Sequence, residues 1–121
     1  MAAYNFMKRF APLVESGEKQ QTIRAERKDG RRPHVGETLY LYTGMRTKKC
    51  QKLLKTTCTS VDDIMILKSS ILILPNWLNA DEMDGLARAD GFENAEQFFD
   101  FFQKEHGLPF RGLLIKWEPI P

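Results

Sequence analysis

The sequence offers little with which to build a disulfide scaffold or a metal centre: two cysteines and two histidines in 121 residues. Cys50 and Cys58 have no Cys or His beside them, which reads as two free thiols and not as a zinc motif. His34 and His106 are equally isolated, and neither is assigned chemistry. No metal or other cofactor is expected. Long uncharged apolar runs are absent too. The longest, Ile71 to Leu74, stops at Pro75 and falls far short of the roughly 20 residues that cross a bilayer, so no membrane partner is expected. The segment Met1 to Asn5 has neither the basic start nor the apolar stretch of a secretory leader, and a reducing cytoplasm is the expected location. Internal repeats and low-complexity segments are missing. A length of 121 residues suits one core rather than two, so residues 1–121 are expected to form a single domain.

What the sequence does have is charge, unevenly placed. Residues 1–60 carry 13 Lys and Arg against 5 Asp and Glu, a balance of +8, whereas residues 61–121 carry 5 against 11, a balance of −6. Clustered cations attract a polyanion, and a solvated basic face with no ligand has the same composition. The first half is therefore where phosphate contacts are sought.

Hydrophobic spacing supplies the elements. Phe6, Phe10, Leu13 and Val14 fall on one helical stripe that ends at Gly17, with Pro12 placed in a first turn. Alternation marks strands over Gln20 to Ala25 and over Thr38 to Tyr42, and the Arg-, Lys-, Gly- and Pro-rich stretch Glu26 to Gly36 is an exposed loop between them. The β-branched run Leu53 to Leu67 is either one long bent strand or a hairpin broken at Asp62-Asp63, and Ser70 to Leu74 is a further strand. Asn79-Ala80-Asp81-Glu82 and Asn94-Ala95-Glu96-Gln97 read as capped helix starts. The second helix carries Phe98, Phe99, Phe101 and Phe102, the expected helix-to-sheet contact, and stops at Gly107. Gly112 to Trp117 is a buried closing strand. Strands in runs, rather than alternating with helices, predict an α+β fold with a mostly antiparallel, barrel-like sheet and helices at its openings.

The segment Gly17-Glu18-Lys19-Gln20-Gln21-Thr22-Ile23-Arg24 carries the candidate chemistry. Gly17 lets the chain leave a helix in a tight turn, and a strand follows at once. On that strand Thr22 and Arg24 face one way and Gln21 and Ile23 the other, with Ile23 in the core. Lys19 meets Thr22 only if Lys19 is still in the turn. A converged Lys19, Thr22 and Arg24 would offer an ammonium, a hydroxyl and a guanidinium to phosphate oxygens or to the polar edge of a base. Gln20 or Gln21 would read the base edge, and Arg27, Lys28, Arg31 and Arg32 would extend the basic surface along a backbone. Tyr40 and Tyr42 either add a stacking surface or only pack the sheet. By pattern alone, the segment is equally a solvated strand edge.

Four motifs, Gly17-x-Lys19-x-x-Thr22-x-Arg24, Gly36-Glu37-x-Leu39, Ala89-Asp90-Gly91-Phe92 and Phe110-x-Gly112-x-Leu114-Ile115-x-Trp117, span nearly the whole chain. In order and spacing they resemble an ASCH domain of the PUA-like superfamily. The resemblance implies a small β-barrel with flanking helices, a cleft beside the first motif, and RNA or a modified nucleoside as ligand. It also implies two enzymatic alternatives. Some members of the wider family deacylate N4-acetylcytidine through a Lys, a Thr and a Glu, and a ribonuclease activity has been ascribed to others. Carried onto this chain, the set becomes Lys19, Thr22 and Asp90. Asp is shorter than Glu by about 1.5 Å, and an error of about 1 Å in catalytic geometry costs roughly a hundredfold in rate. Asp90 is equally suited to no more than ending a helix before Gly91. In an enzyme, Thr22 would be the nucleophile, Lys19 its base if burial lowers its pKa, and Asp90 the group that orients Lys19 or relays a proton. In a binding module the same side chains hold a ligand without turnover. A ribonuclease ranks last, because paired histidines and clustered carboxylates are lacking.

Overall fold

Alternation over Thr38–Thr43 drives Leu39 and Leu41 inward, both fully buried, and leaves Thr38, Tyr40 and Tyr42 on the opposite face of that strand. The strand is β3 of seven in a computed structural model that describes residues 2–119. The element order is β1 (Ala2–Phe6), α1 (Ala11–Ser16), β2 (Gln21–Ala25), β3, β4 (Gln51–Ile66), β5 (Ile71–Ile73), β6 (Asn76–Trp77), α2 (Ala80–Ala89), α3 (Ala95–Glu105) and β7 (Phe110–Trp117). No helix among the described residues is long and apolar enough to cross a membrane.

The 16-residue β4 organises the sheet. Its first half pairs antiparallel with β3, from Thr38↔Thr57 to Thr43↔Gln51, and its second half pairs antiparallel with β7 and β5. β7 in turn pairs antiparallel with β2, and β5 with β6. β1 lies parallel to β3, with Asn5 opposite Tyr42. The fold is α+β and mostly antiparallel as expected, but the sheet is open: no ladder joins β1 to β2 among the described residues. The run Leu53 to Leu67 resolves as one strand. Its irregularities lie at Cys58 to Ser60 opposite β7 and between Leu54 and Lys52 opposite β3, not at Asp62-Asp63, which stay in the ladder.

Two elements differ from the sequence expectation. Phe6 ends β1 instead of starting a helix; its four-residue spacing from Phe10 mimics a helical repeat, yet the chain turns between them, with the Phe10 amide donating to the Met7 carbonyl at 2.9 Å. Phe6 packs edge-on against Trp117 of β7, with centroids 6.1 Å apart. The helix that remains, α1, is short, carries Pro12 in its first turn and ends at Gly17, whose φ of 88° is the left-handed geometry that glycine tolerates. The second difference is β6, a strand of two residues too short to leave a periodic signal in the sequence.

The buried apolar side chains form one cluster. Phe98 and Phe102 of α3 enter it, Phe102 packing 5.2 Å from Phe110 of β7, which is the expected helix-to-sheet contact. Phe99 and Phe101 are half-buried. α2 begins with a complete capping box, Asn79 Oδ1 accepting from the Glu82 amide at 2.8 Å and Glu82 Oε1 from the Asn79 amide at 2.9 Å.

Candidate functional site

Gly17 aims the site. Past its turn, the Lys19 amide donates to the Leu13 carbonyl at 2.9 Å, so Lys19 sits in the turn before β2. Its side chain runs inward and is 3% exposed. A buried ammonium needs partners, and Lys19 Nζ finds both at one residue: the Asp90 carbonyl at 2.6 Å and Asp90 Oδ1 at 2.9 Å. Gln21 Nε2 adds donors to the same carboxylate oxygen at 3.3 Å and to the Leu86 carbonyl at 3.5 Å.

Asp90 does both things foreseen for it. It caps α2, its amide donating to the Leu86 and Ala87 carbonyls, and its side chain reaches Lys19 in spite of the shorter carboxylate arm. Gly91 makes the exit possible. Its φ is 102°, and an added Cβ would lie 3.0 Å from the Phe10 ring and 3.2 Å from Leu13, side chains of the α1 region. α2 can thus end against α1 closely enough for the pair to form.

Burial dominates the electrostatics of the pair. It lowers the Lys19 pKa and raises that of Asp90, in each case against an opposing pull from the partner. Burial thus works against the charged form of both groups, and their mutual contact works for it. Lys19 Nζ also lies 5.0 Å from the Phe10 ring centroid.

Thr22 and Arg24 form a second unit. Arg24 Nε donates to Thr22 Oγ1 at 3.0 Å and an Arg24 Nη to the Asn5 carbonyl at 2.7 Å, while the guanidinium lies over Phe6 at 4.8 Å and Tyr4 at 5.3 Å. The two units face one cavity of about 240 Å³, lined by Lys19, Thr22, Arg24 and Asp90, by the rings of Phe6, Phe10, Phe101 and Phe102, and at its edge by Asn5, Glu105 and His106. No hydrogen bond links Lys19 to Thr22 among the described residues. Lys19 and Thr22 therefore share a cavity without forming a nucleophile-base pair. Ile23 is buried in the core, as its strand parity required.

Other residues singled out in the sequence lie elsewhere. Gln20 is exposed and braces the turn, its Nε2 donating to the Gly17 carbonyl at 2.9 Å. Gln21 is buried behind Asp90 and does not line the cavity. Arg27 and Lys28 belong to the exposed loop, which neutralises much of its own charge: Arg27 pairs with Asp29 at 2.8 Å, and Arg32 with Glu26 at 3.2 Å and Asp63 at 3.3 Å. Tyr40 and Tyr42 stand on the β3 face opposite the buried leucines, away from the cavity lining. Sequence reasoning missed Asn5, Glu105 and His106. His106 lies 5.5 Å from Phe102, one turn earlier on α3, and 5.0 Å from Phe110, a contact that the docking of α3 on β7 creates. The phenylalanine stripe reads as core alone in the sequence, yet Phe101 and Phe102 also wall the cavity.

Solved structures with this architecture include the crystal structure of a ZmASCH mutant protein from Zymomonas mobilis, at TM-score 0.57 and 11% identity, covering 98% of this chain and 73% of that one. The ASCH domain from Lactobacillus crispatus JV V101 aligns at TM-score 0.54 and 18% identity, covering 98% and 78%. The chain has the fold of these ASCH domains. Its sequence matches no protein-family profile and no curated protein.

Proposed function

We propose that this chain, a domain of ASCH fold, binds a nucleoside or a single nucleotide unit in the cavity beside Gly17 to Arg24. One observation carries the reading: Lys19, Asp90, Thr22 and Arg24, drawn from two distant parts of the sequence, converge on one cavity with aromatic walls. Its volume, about 240 Å³, lies just below the range of about 300–1,000 Å³ usual for small-molecule sites, which suits one base with its sugar and not a run of nucleotides. Rings that offer faces and edges to a planar base, beside a buried set of fixed donors and acceptors, match the polar edge of a nucleobase. Arg24 keeps N–H groups for a carbonyl or phosphate oxygen while it holds Thr22.

A second reading, an amidohydrolase that deacylates an N4-acetylcytidine-type nucleoside, is favoured by the Lys19–Asp90 pair. Burial pushes Lys19 towards the neutral amine that a general base must be. Binding ranks first because Lys19 donates to Asp90 twice while Thr22 is engaged by Arg24, so the base and the nucleophile are not joined.

Calorimetric titration with cytidine, uridine and N4-acetylcytidine tests the binding, and chromatography of the same mixtures tests turnover. Lys19→Ala and Thr22→Ala should each weaken binding tenfold or more, about 1.4 kcal/mol. Folded protein that takes up no nucleoside or nucleotide would sink the proposal. Deacetylation abolished by both substitutions would promote the second reading.

A further inference from the structure

Of the 13 cations of the first half only Lys19 and Arg24 line the cavity, and five others collect on the β3–β4 hairpin. Between Glu37 and Asp62 the sequence contains Arg46, Lys48, Lys49, Lys52 and Lys55 and no acidic residue. All five are exposed, and none has an ion-pair partner among the described residues, in contrast to the arginines of the 26–36 loop. Register then sets aromatic rings beside the cations. Tyr40 is the β4 partner of Lys55 and Tyr42 of Lys52, with Lys55 Nζ 5.8 Å from the Tyr40 ring centroid. The shift in register between Leu41 and Tyr42 is what brings both lysines, three positions apart, opposite tyrosines two apart. Leu39 and Leu41 point into the core, so both half-buried tyrosines belong to the outer face, spaced about 7 Å along the strand.

We infer that this outer face of β3 and β4 is a binding platform for single-stranded nucleic acid, Tyr40 and Tyr42 stacking unpaired bases and the five hairpin cations following the phosphates. Aromatic rings flanked by unneutralised lysines match a strand that presents both base faces and a charged backbone. An acidic protein surface or an anionic membrane would use the cations and leave the two tyrosines without a role. The platform adjoins the cavity without sharing its residues: Tyr42 is the β1 register partner of Asn5, whose carbonyl holds Arg24. Met45, at the hairpin turn, donates its amide to Asn5 Oδ1 at 2.9 Å. The inference does not depend on the cavity binding a nucleoside.

Fluorescence anisotropy with a labelled oligouridine of about 15 nucleotides tests it. Single-strand contacts give a slope of log K against log salt of about −0.7 for each phosphate neutralised, so the five cations should give about −3.5. Affinity should then fall about a hundredfold between 50 and 200 mM salt. Lys52→Gln with Lys55→Gln, exposed changes that leave the fold intact by circular dichroism, should bring the slope to about −2.1. Tyr40→Leu with Tyr42→Leu should weaken binding by about fivefold or more per ring while keeping the slope. A duplex of the same length should bind more weakly, and excess free cytidine should not displace the oligonucleotide. A slope that the lysine changes leave unaltered, equal affinity for the duplex, or full displacement by cytidine would overturn the inference. The first two outcomes do so without touching the nucleoside proposal.

Discussion

The Lys19–Asp90 pair gives the sharpest prediction, because two charges that are each about 5% exposed or less can be removed singly or together. At an effective dielectric of about 20, unit charges 2.9 Å apart attract by about 6 kcal/mol. Stripping water from the two groups costs several kcal/mol each, so the intact pair is close to neutral for stability. Asp90→Leu removes the attraction and leaves the ammonium with one carbonyl, and it also takes a partner from Gln21; a loss of about 3–5 kcal/mol is expected. Lys19→Met with Asp90→Leu removes both charges and should come within about 1 kcal/mol of the parent or exceed it. Urea unfolding at constant m-value reads both. The pH profile adds an independent check. Folding raises the Asp90 pKa above 3.8, so the native state holds that proton more tightly and this contribution to stability declines as pH rises from 3.8 through the folded value. Folding lowers the Lys19 pKa below 10.5, so its contribution recovers as pH climbs from the folded value to 10.5. The double variant should therefore gain on the parent most at intermediate pH and least near pH 4 and pH 10. A single Asp90→Leu change costing under about 1 kcal/mol, or a stability difference flat with pH, would refute this account of the pair.

Two further predictions separate the site from the scaffold. In Gly112→Ala the new Cβ would overlap the Arg24 carbonyl oxygen across the β2–β7 ladder, so unfolding should cost about 1–3 kcal/mol less and nucleoside titration should show weakened binding as Arg24 shifts. Asn79→Ala breaks the α2 capping box far from the cavity lining; thermal melts should report a loss of about 1 kcal/mol with nucleoside affinity unchanged.

How much was legible followed from how local each signal was. The caps at Asn79 and Asn94, the turn at Gly17 and the alternation of Thr38 to Tyr42 are set by neighbours within a few residues, and all stand as read. The first strand escaped because Ala2 to Phe6 owes its conformation to pairing with β3, and because Phe6 and Phe10 happen to keep a helical interval. The site was legible as a list and not as a geometry. Parity placed Ile23 inward and Thr22 and Arg24 on one face, where they bond, but that Lys19 would bond to Asp90 depends on where α2 ends against α1. The charge count of the first half was legible, but not all of its pairing: Asp29 and Glu26 lie within the loop they neutralise, whereas Asp63, 31 positions from Arg32, is brought to it only by the fold.

Lys19 and Asp90 stand 71 positions apart, and the bonds between them are made only when the turn after α1 meets the end of α2. The cavity therefore depends on long-range assembly and is absent from any form in which β2 or α2 is undocked. Occupancy and folding must then draw on one equilibrium. A ligand at a hundred times its Kd would hold the native state by about 2.7 kcal/mol. A thermal-shift screen of this chain against nucleosides thus reads the site through the integrity of the whole molecule.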